Sequence, residues 1–241
     1  MAVHQCARFN NQLMLSHERA IKRIAKYLKG TSDRGNVYHP NKTKGIECYV
    51  DADFFGGWSQ ADANNLENVM SRTGYAIYYT GCPVLWSSKL QTEIAFSTTE
   101  AEYIALSSAM RDVIPLMFLM KEISLVFPVQ LPTPEVSCQV FKDNTSCIKV
   151  AEYPNFTPRT KHIAIKYHHF WRFVQKKIIK LIHIDTKEQT VDIFTKPVTN
   201  EAFSISKKEI DGVVIIVLYY EGVCNISTFM NVRINGSNFA Q

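Results

Sequence analysis

The order in which strand-like and helix-like patterns follow one another constrains this chain more than any single motif. Ile46 to Phe55 (IECYVDADFF), Gly74 to Tyr79 (GYAIYY) and Val84 to Ser88 (VLWSS) are short runs rich in β-branched and aromatic residues, the composition of strands. Gly56-Gly57 ends the first, and Thr80-Gly81-Cys82-Pro83 joins the other two as a hairpin. Ser97-Thr98-Thr99 then opens a long helical stripe of Tyr103, Leu106, Met110, Val113, Ile114, Met117 and Phe118, in which Pro115 predicts a kink. Val136 to Phe141 and Ile178 to Ile184 read as further strands, with helical segments from Thr145 and Thr160 between them and a short helix from Lys187 carrying Asp192. Three leading strands predict an antiparallel meander, and two later strands reached through helices must pair in parallel. The expected fold is therefore α/β, a five-stranded mixed sheet flanked by helices. Parallel strands present their C-terminal ends on one edge, where open α/β sheets hold their chemistry; Asp51 and Asp143 both fall at such ends.

Outside this pattern the chain is less regular. Ser16 precedes Ile21, Ile24, Ala25 and Leu28 at helical spacing and Gly30 follows as a stop, which predicts a capped amphipathic helix with a basic outer face. Thr31 to Gly45 reads as a linker. The longest apolar run, the eight residues Val213 to Tyr220, is too short for a membrane helix, and the first twelve residues lack the apolar core of a signal peptide. The expected protein has no membrane partner and is not secreted; it works in the cytoplasm, with a virus-like particle or the nucleus as alternatives. Six scattered cysteines without a short paired spacing fit free thiols in a reducing compartment.

The formal net charge of +5 hides a strong segregation. Residues 1–45 carry +7, residues 46–158 carry −7, residues 159–187 carry +7 and the last 54 carry −2. A basic flank is usually a solvated face. Two of them around a carboxylate-rich centre point to a polyanion held beside metal-binding acids. Arg159, Lys161, Lys166, Arg172, Lys176 and Lys177 in the second flank are the candidate phosphate contacts.

Acids at adjacent strand ends, joined by acids from helix starts, form a hard oxygen site suited to Mg²⁺ or Mn²⁺. Two such ions can activate water and stabilise a leaving oxygen in phosphodiester cleavage. Periodicity leaves the helical acid open: Glu100 and Glu102 flank the apolar stripe on opposite sides, and each also fits a capping box, with Ser97 and Thr99 respectively. Asp53, two residues after Asp51, is a further candidate. Asn144 is placed either to orient substrate or to cap a helix, and His183, inside an apolar strand, is expected to pack there.

Five segments carry a resemblance: YVDADFFGGW (49–58), SRTGYAIYYTGCPVLWSSKLQTEIAFSTTEAEYIAL (71–106), KDNTSCI (142–148), RTKHIAIKYHHF (159–170) and EQTVDIFTKP (188–197). In this order they resemble the RNase H domain of copia-type retrotransposon Pol polyproteins, whose fold is a five-stranded mixed sheet with helices. The resemblance implies a D-E-D-D set holding two Mg²⁺ (or Mn²⁺) ions, assigned to Asp51, Glu100, Asp143 and Asp192, with Glu102 and Asp53 as second choices. It implies hydrolysis of the RNA strand of an RNA/DNA hybrid, leaving a 3′-hydroxyl and a 5′-phosphate, with reverse transcriptase and other Pol regions as partners. Residues 2–30 resemble the end of the reverse transcriptase module, so the expected division is a remnant with linker at 1–45, an RNase H-like domain at 46–200 and an unassigned tail at 201–241. No Y-x-D-D polymerase signature occurs. A catalytically inactive, nucleic-acid-binding relic of the same element is the alternative; an integrase or transposase shares the fold but not the STTEAEY and RTKHI segments.

Overall fold

A computed structural model describes residues 2–11, 13–32, 38–55, 69–127, 136–153 and 168–198. Its centre is one sheet of β1 (Ile46–Asp53), β2 (Arg72–Tyr79), β3 (Cys82–Leu90), β4 (Cys138–Lys142) and β5 (Ile179–His183), in the order β3-β2-β1-β4-β5. β1 pairs antiparallel with β2 and β2 with β3, whereas β4 runs parallel to both β1 and β5. This is the expected five-stranded mixed sheet. The β2–β3 connection is tighter than the sequence implied. It turns on Thr80 and Gly81, both at positive φ (53° and 77°), the geometry that matches the twist of a two-residue hairpin. Gly81 adopts it without cost, while Thr80 bears some strain.

The helices α1 (Ala2–Ala7) and α2 (Leu15–Lys29) bury no residue. α2 begins one residue ahead of Ser16, and its N-cap Met14 N–H donates to His17 Nδ1 at 3.1 Å in place of the expected serine cap. The long helix α3 (Thr98–Val126) starts where the sequence placed it, with the Ser97 hydroxyl accepting from Glu100 N at 3.1 Å, and it continues through Pro115. Its length and composition alone would suit a membrane span; here its first half lies on the sheet. Tyr103, Leu106, Met110 and Val113 are fully buried against Cys48, Val50, Val140 and Ile179, and the Tyr103 ring meets Phe170 at 5.6 Å. Truncating one of these to Ala costs roughly 2–5 kcal/mol, so this layer fixes where α3 sits over β1 and β4.

α4 (Thr145–Glu152) follows β4 directly, and Asn144 Oδ1 accepts from Cys147 N at 2.8 Å. Of the two readings of Asn144, the cap is the one the structure shows. α5 (Trp171–Gln175) precedes β5, and α6 (Asp192–Thr195) is a single turn that begins at Asp192. α6 lies on the sheet face away from α3, where Val191 and Phe194 are buried with Ala76 and Tyr78. The tail 201–241 lies outside the described residues.

Candidate active site

The parallel pairing of β1 and β4, with Tyr49 opposite Phe141, brings Asp51 and Asp143 out on the same sheet edge. The buried first turns of α3 pass over that edge. One carboxylate oxygen each from Asp51, Glu102 and Asp143 lie within 4.8 Å of one another. The helical acid that joins the strand acids is thus Glu102, the second choice, and not Glu100. Glu100 turns its carboxylate back to the start of its own helix, where Oε2 accepts from Phe96 N at 2.7 Å. It acts as a capping acid there.

Asp192 joins from the opposite face of the sheet. Its carboxyl lies near enough to Asp51 to feel that neighbour's charge, and Lys196 Nζ is 2.9 Å from its Oδ2. Three residues on, Thr195 Oγ1 donates to Asp51 Oδ2 at 2.5 Å. α6 comes this close because Gly74, the β2 partner of Asp51, has no side chain. A Cβ there would stand 2.6 Å from Thr195 Cγ2 and 2.9 Å from Phe194 Cβ. Ser88 Oγ holds the turn down by donating to Phe194 O at 2.5 Å. Gln189 Nε2 donates to Val50 O at 3.0 Å, which anchors the segment before α6 to β1.

A fully buried lysine completes the cluster. Lys142 follows Val140 by two residues, so strand alternation sends its side chain to the α3 face, where Nζ donates to Glu102 Oε2 and lies 3.5 Å from Val50 O. Burial alone would lower its pKa, but Glu102, helped by Asp51, holds it above the ordinary lysine value as an ammonium. The acids outnumber it. Burial pushes the Glu102 carboxyl up to about 7, with Lys142 opposing and Asp51 and Asp143 adding to the rise. Asp53, half-buried beside Asp51, is raised by burial and by that neighbour's charge.

Burial, and then the charge of Asp51, push Asp192 up to about 6, against the pull of Lys196. A folded pKa above the unfolded value of 3.8 gives stability that is present below pH 4 and lost as pH rises through 6. The metal-free protein is therefore expected to show a melting temperature that falls between pH 4.5 and 7. Scanning calorimetry would show a flatter slope for Asp192→Asn; an unchanged slope would dissociate Asp192 from the effect.

The cluster fits a hard divalent cation. Asp143 Oδ2 accepts from Thr186 Oγ1 at 3.1 Å, but Asp143 Oδ1 and Asp192 Oδ1 are buried and find no hydrogen-bond partner among the described residues. Buried oxygens left in this way are costly, and Mg²⁺ or Mn²⁺ takes carboxylate oxygens of this kind.

Other sequence expectations fare differently. His183 does not pack inside the strand: it is exposed at the C-terminal end of β5, an edge strand, with Nε2 3.1 Å from Asp143 O. Lys176 and Lys177 are exposed just ahead of β5, and Arg172 is exposed on α5. Lys176 and Lys177 thus lie at the opposite sheet edge, one short strand or roughly 17 Å from the acids. Arg159, Lys161 and Lys166 lie outside the described residues. Lys142, Thr195, Gly74 and Lys196 were not singled out from the sequence, although alternation from Val140 to Lys142 and the three-residue step from Asp192 to Thr195 were signals for two of them.

Known proteins agree with the five-segment resemblance. The chain is 30% identical over 225 residues to the retrovirus-related Pol polyprotein from transposon RE2 of Arabidopsis thaliana, which covers 93% of this chain and 14% of that protein. It is 32% identical over 209 residues to the corresponding polyprotein from transposon TNT 1-94 of Nicotiana tabacum, 86% of this chain and 14% of that one. The chain is a homologue of copia-type retrotransposon Pol polyproteins. It spans about one seventh of the length of these Pol relatives. No protein-family model matches it. Among solved structures, LC11-RNase H1 in complex with an RNA/DNA hybrid aligns over 67% of this Pol homologue and 98% of its own chain, at 18% identity and a TM-score of 0.42.

Proposed function

We propose that this Pol homologue is a divalent-metal-dependent endoribonuclease that cleaves the RNA strand of RNA/DNA hybrids. The observation that carries the reading is the convergence of Asp51, Glu102 and Asp143 from three separate elements within 4.8 Å, with Asp192 beside Asp51. Asp51, Asp143 and Asp192 would hold Mg²⁺ or Mn²⁺. When bound, the ion supplies Lewis-acid stabilisation of the scissile phosphate and a water made acidic enough to attack it.

The chain's own groups prepare the site. Thr186 fixes one oxygen of Asp143 and leaves the other buried and unpartnered among the described residues, and Thr195 fixes one oxygen of Asp51. Gln189 and Ser88 hold the α6 turn against the sheet. Positions fixed in advance cost no reorganisation when charge develops on the phosphate. Selection of a hybrid would rest on contacts to RNA 2′-hydroxyls and on duplex shape. His183 and Lys187, exposed beside the acid edge, are the side chains positioned to meet the backbone there.

The test uses RNA-labelled hybrid, single-stranded RNA and DNA duplex with Mn²⁺, Mg²⁺ or EDTA. Cleavage of the hybrid alone, abolished by EDTA and leaving 5′-phosphate ends, is the expected result. Salt-sensitive hybrid binding without cleavage would identify the inactive relic.

A further inference from the structure

We infer that Lys142 takes the place of one divalent cation, so that the acid cluster is built for a single metal ion. The inference rests on the metal-dependent reading of the same site. The cluster divides into two halves that differ in one respect. On one side Asp143 Oδ1 and Asp192 Oδ1 are buried with no hydrogen-bond partner among the described residues, Asp51 lying near Asp192 and grouped with Asp143. On the other side Glu102 already holds a cation. The Lys142 ammonium is bonded to its Oε2, and the lysine side chain is entirely shielded from solvent.

This lysine is anchored by its backbone as well as by its charge. Lys142 pairs with His183 in the β4–β5 ladder, and its carbonyl oxygen accepts from Ile184 N at 3.0 Å. Its stem is enclosed below α3, so Nζ cannot swing out to solvent without opening the packing between α3 and β4. A dication on the Glu102 side would meet a fixed positive charge at contact distance. Like charges in a weakly screened interior repel by far more than they do at the surface, so that position is closed while the Asp143–Asp192 side remains open. The ammonium also offers part of what a second ion would: a fixed positive charge beside the Asp51 edge, held by Glu102. Lys142 is a positioning and charge-supplying residue in this account, and Glu102 is its anchor.

Calorimetric titration of Mn²⁺ into the full chain tests the inference apart from activity, with wild type, Lys142→Gln and Lys142→Met in parallel. Gln keeps a donor toward Glu102 without the charge. Wild type is expected to take up one ion, and the two variants either a second ion or the first at least tenfold more tightly. Two ions bound by wild type would overturn the inference without any substitution, as would folded variants whose stoichiometry and affinity match wild type. Failure of every protein to bind Mn²⁺ would overturn the nuclease reading and this inference together, whereas unchanged binding with intact hybrid cleavage would overturn the inference alone.

Discussion

The Glu102→Gln protein is expected to lose hybrid cleavage by about a thousandfold, while Glu100→Gln keeps nearly all of it. A metal-centred charge network contributes several kcal/mol to phosphodiester cleavage, and each roughly 1.4 kcal/mol is a factor of ten in rate. Glu102 belongs to that network through its oxygen beside Asp51 and Asp143 and through its bond to Lys142. Glu100, two residues earlier, spends its carboxylate on Phe96 N. Its replacement acts on the helix start, where such a cap is worth about 1 kcal/mol. Single-turnover cleavage and a thermal melt on the same preparations separate the two effects. Equal losses of activity in both variants, with both folded, would contradict the placement of α3 over the sheet edge.

The Gly74→Val protein is expected to fall further than its distance from any carboxylate suggests. The first atom of a side chain at this position meets Thr195 Cγ2 and Phe194 Cβ inside van der Waals distance, and Phe194 Cβ has no rotamer by which to escape. The strand cannot yield easily, because Gly74 is paired to Asp51 on one side and to Ser88 on the other. The α6 turn must lift, and it carries Asp192 and the Thr195 hydroxyl away from Asp51. Overpacking of this kind costs about 1–3 kcal/mol, and losing one ligand and one orienting donor should lower cleavage about a hundredfold or more. A lowered melting temperature with weakened Mn²⁺ binding is the expected pair of results. Unchanged metal affinity would mean that α6 does not complete the site.

The sheet was legible because its strands are short, apolar and bounded by Gly, Pro and polar residues, and because the order of strands and helices leaves few topologies. That Asp51 and Asp143 come together was legible for a related reason, since both fall near the C-terminal ends of strands that pair in parallel, whereas the role of Asp192 came through the resemblance alone. Glu100 and Glu102 were not separable in the same way. Both flank the apolar stripe of α3, and the rotation of α3 is decided by how Tyr103 and Leu106 pack against strands distant in sequence. The capping reading of Ser97 with Glu100 was available and is the one realised. His183 misled because an apolar run suggests burial, but β5 is an edge strand and its last residue projects past the helices that cover its start. Gly74 carries no signal until the register places it opposite Asp51.

Cleavage of an RNA-labelled hybrid in Mn²⁺ by wild type and by Asp143→Asn tests the central claim most directly, since Asp143 brings the open oxygen and keeps its bond to Thr186 through either side chain. The account predicts metal-dependent cutting of the RNA strand by wild type and loss of at least about a hundredfold in the variant. No cutting by wild type, or equal cutting by both, would contradict it.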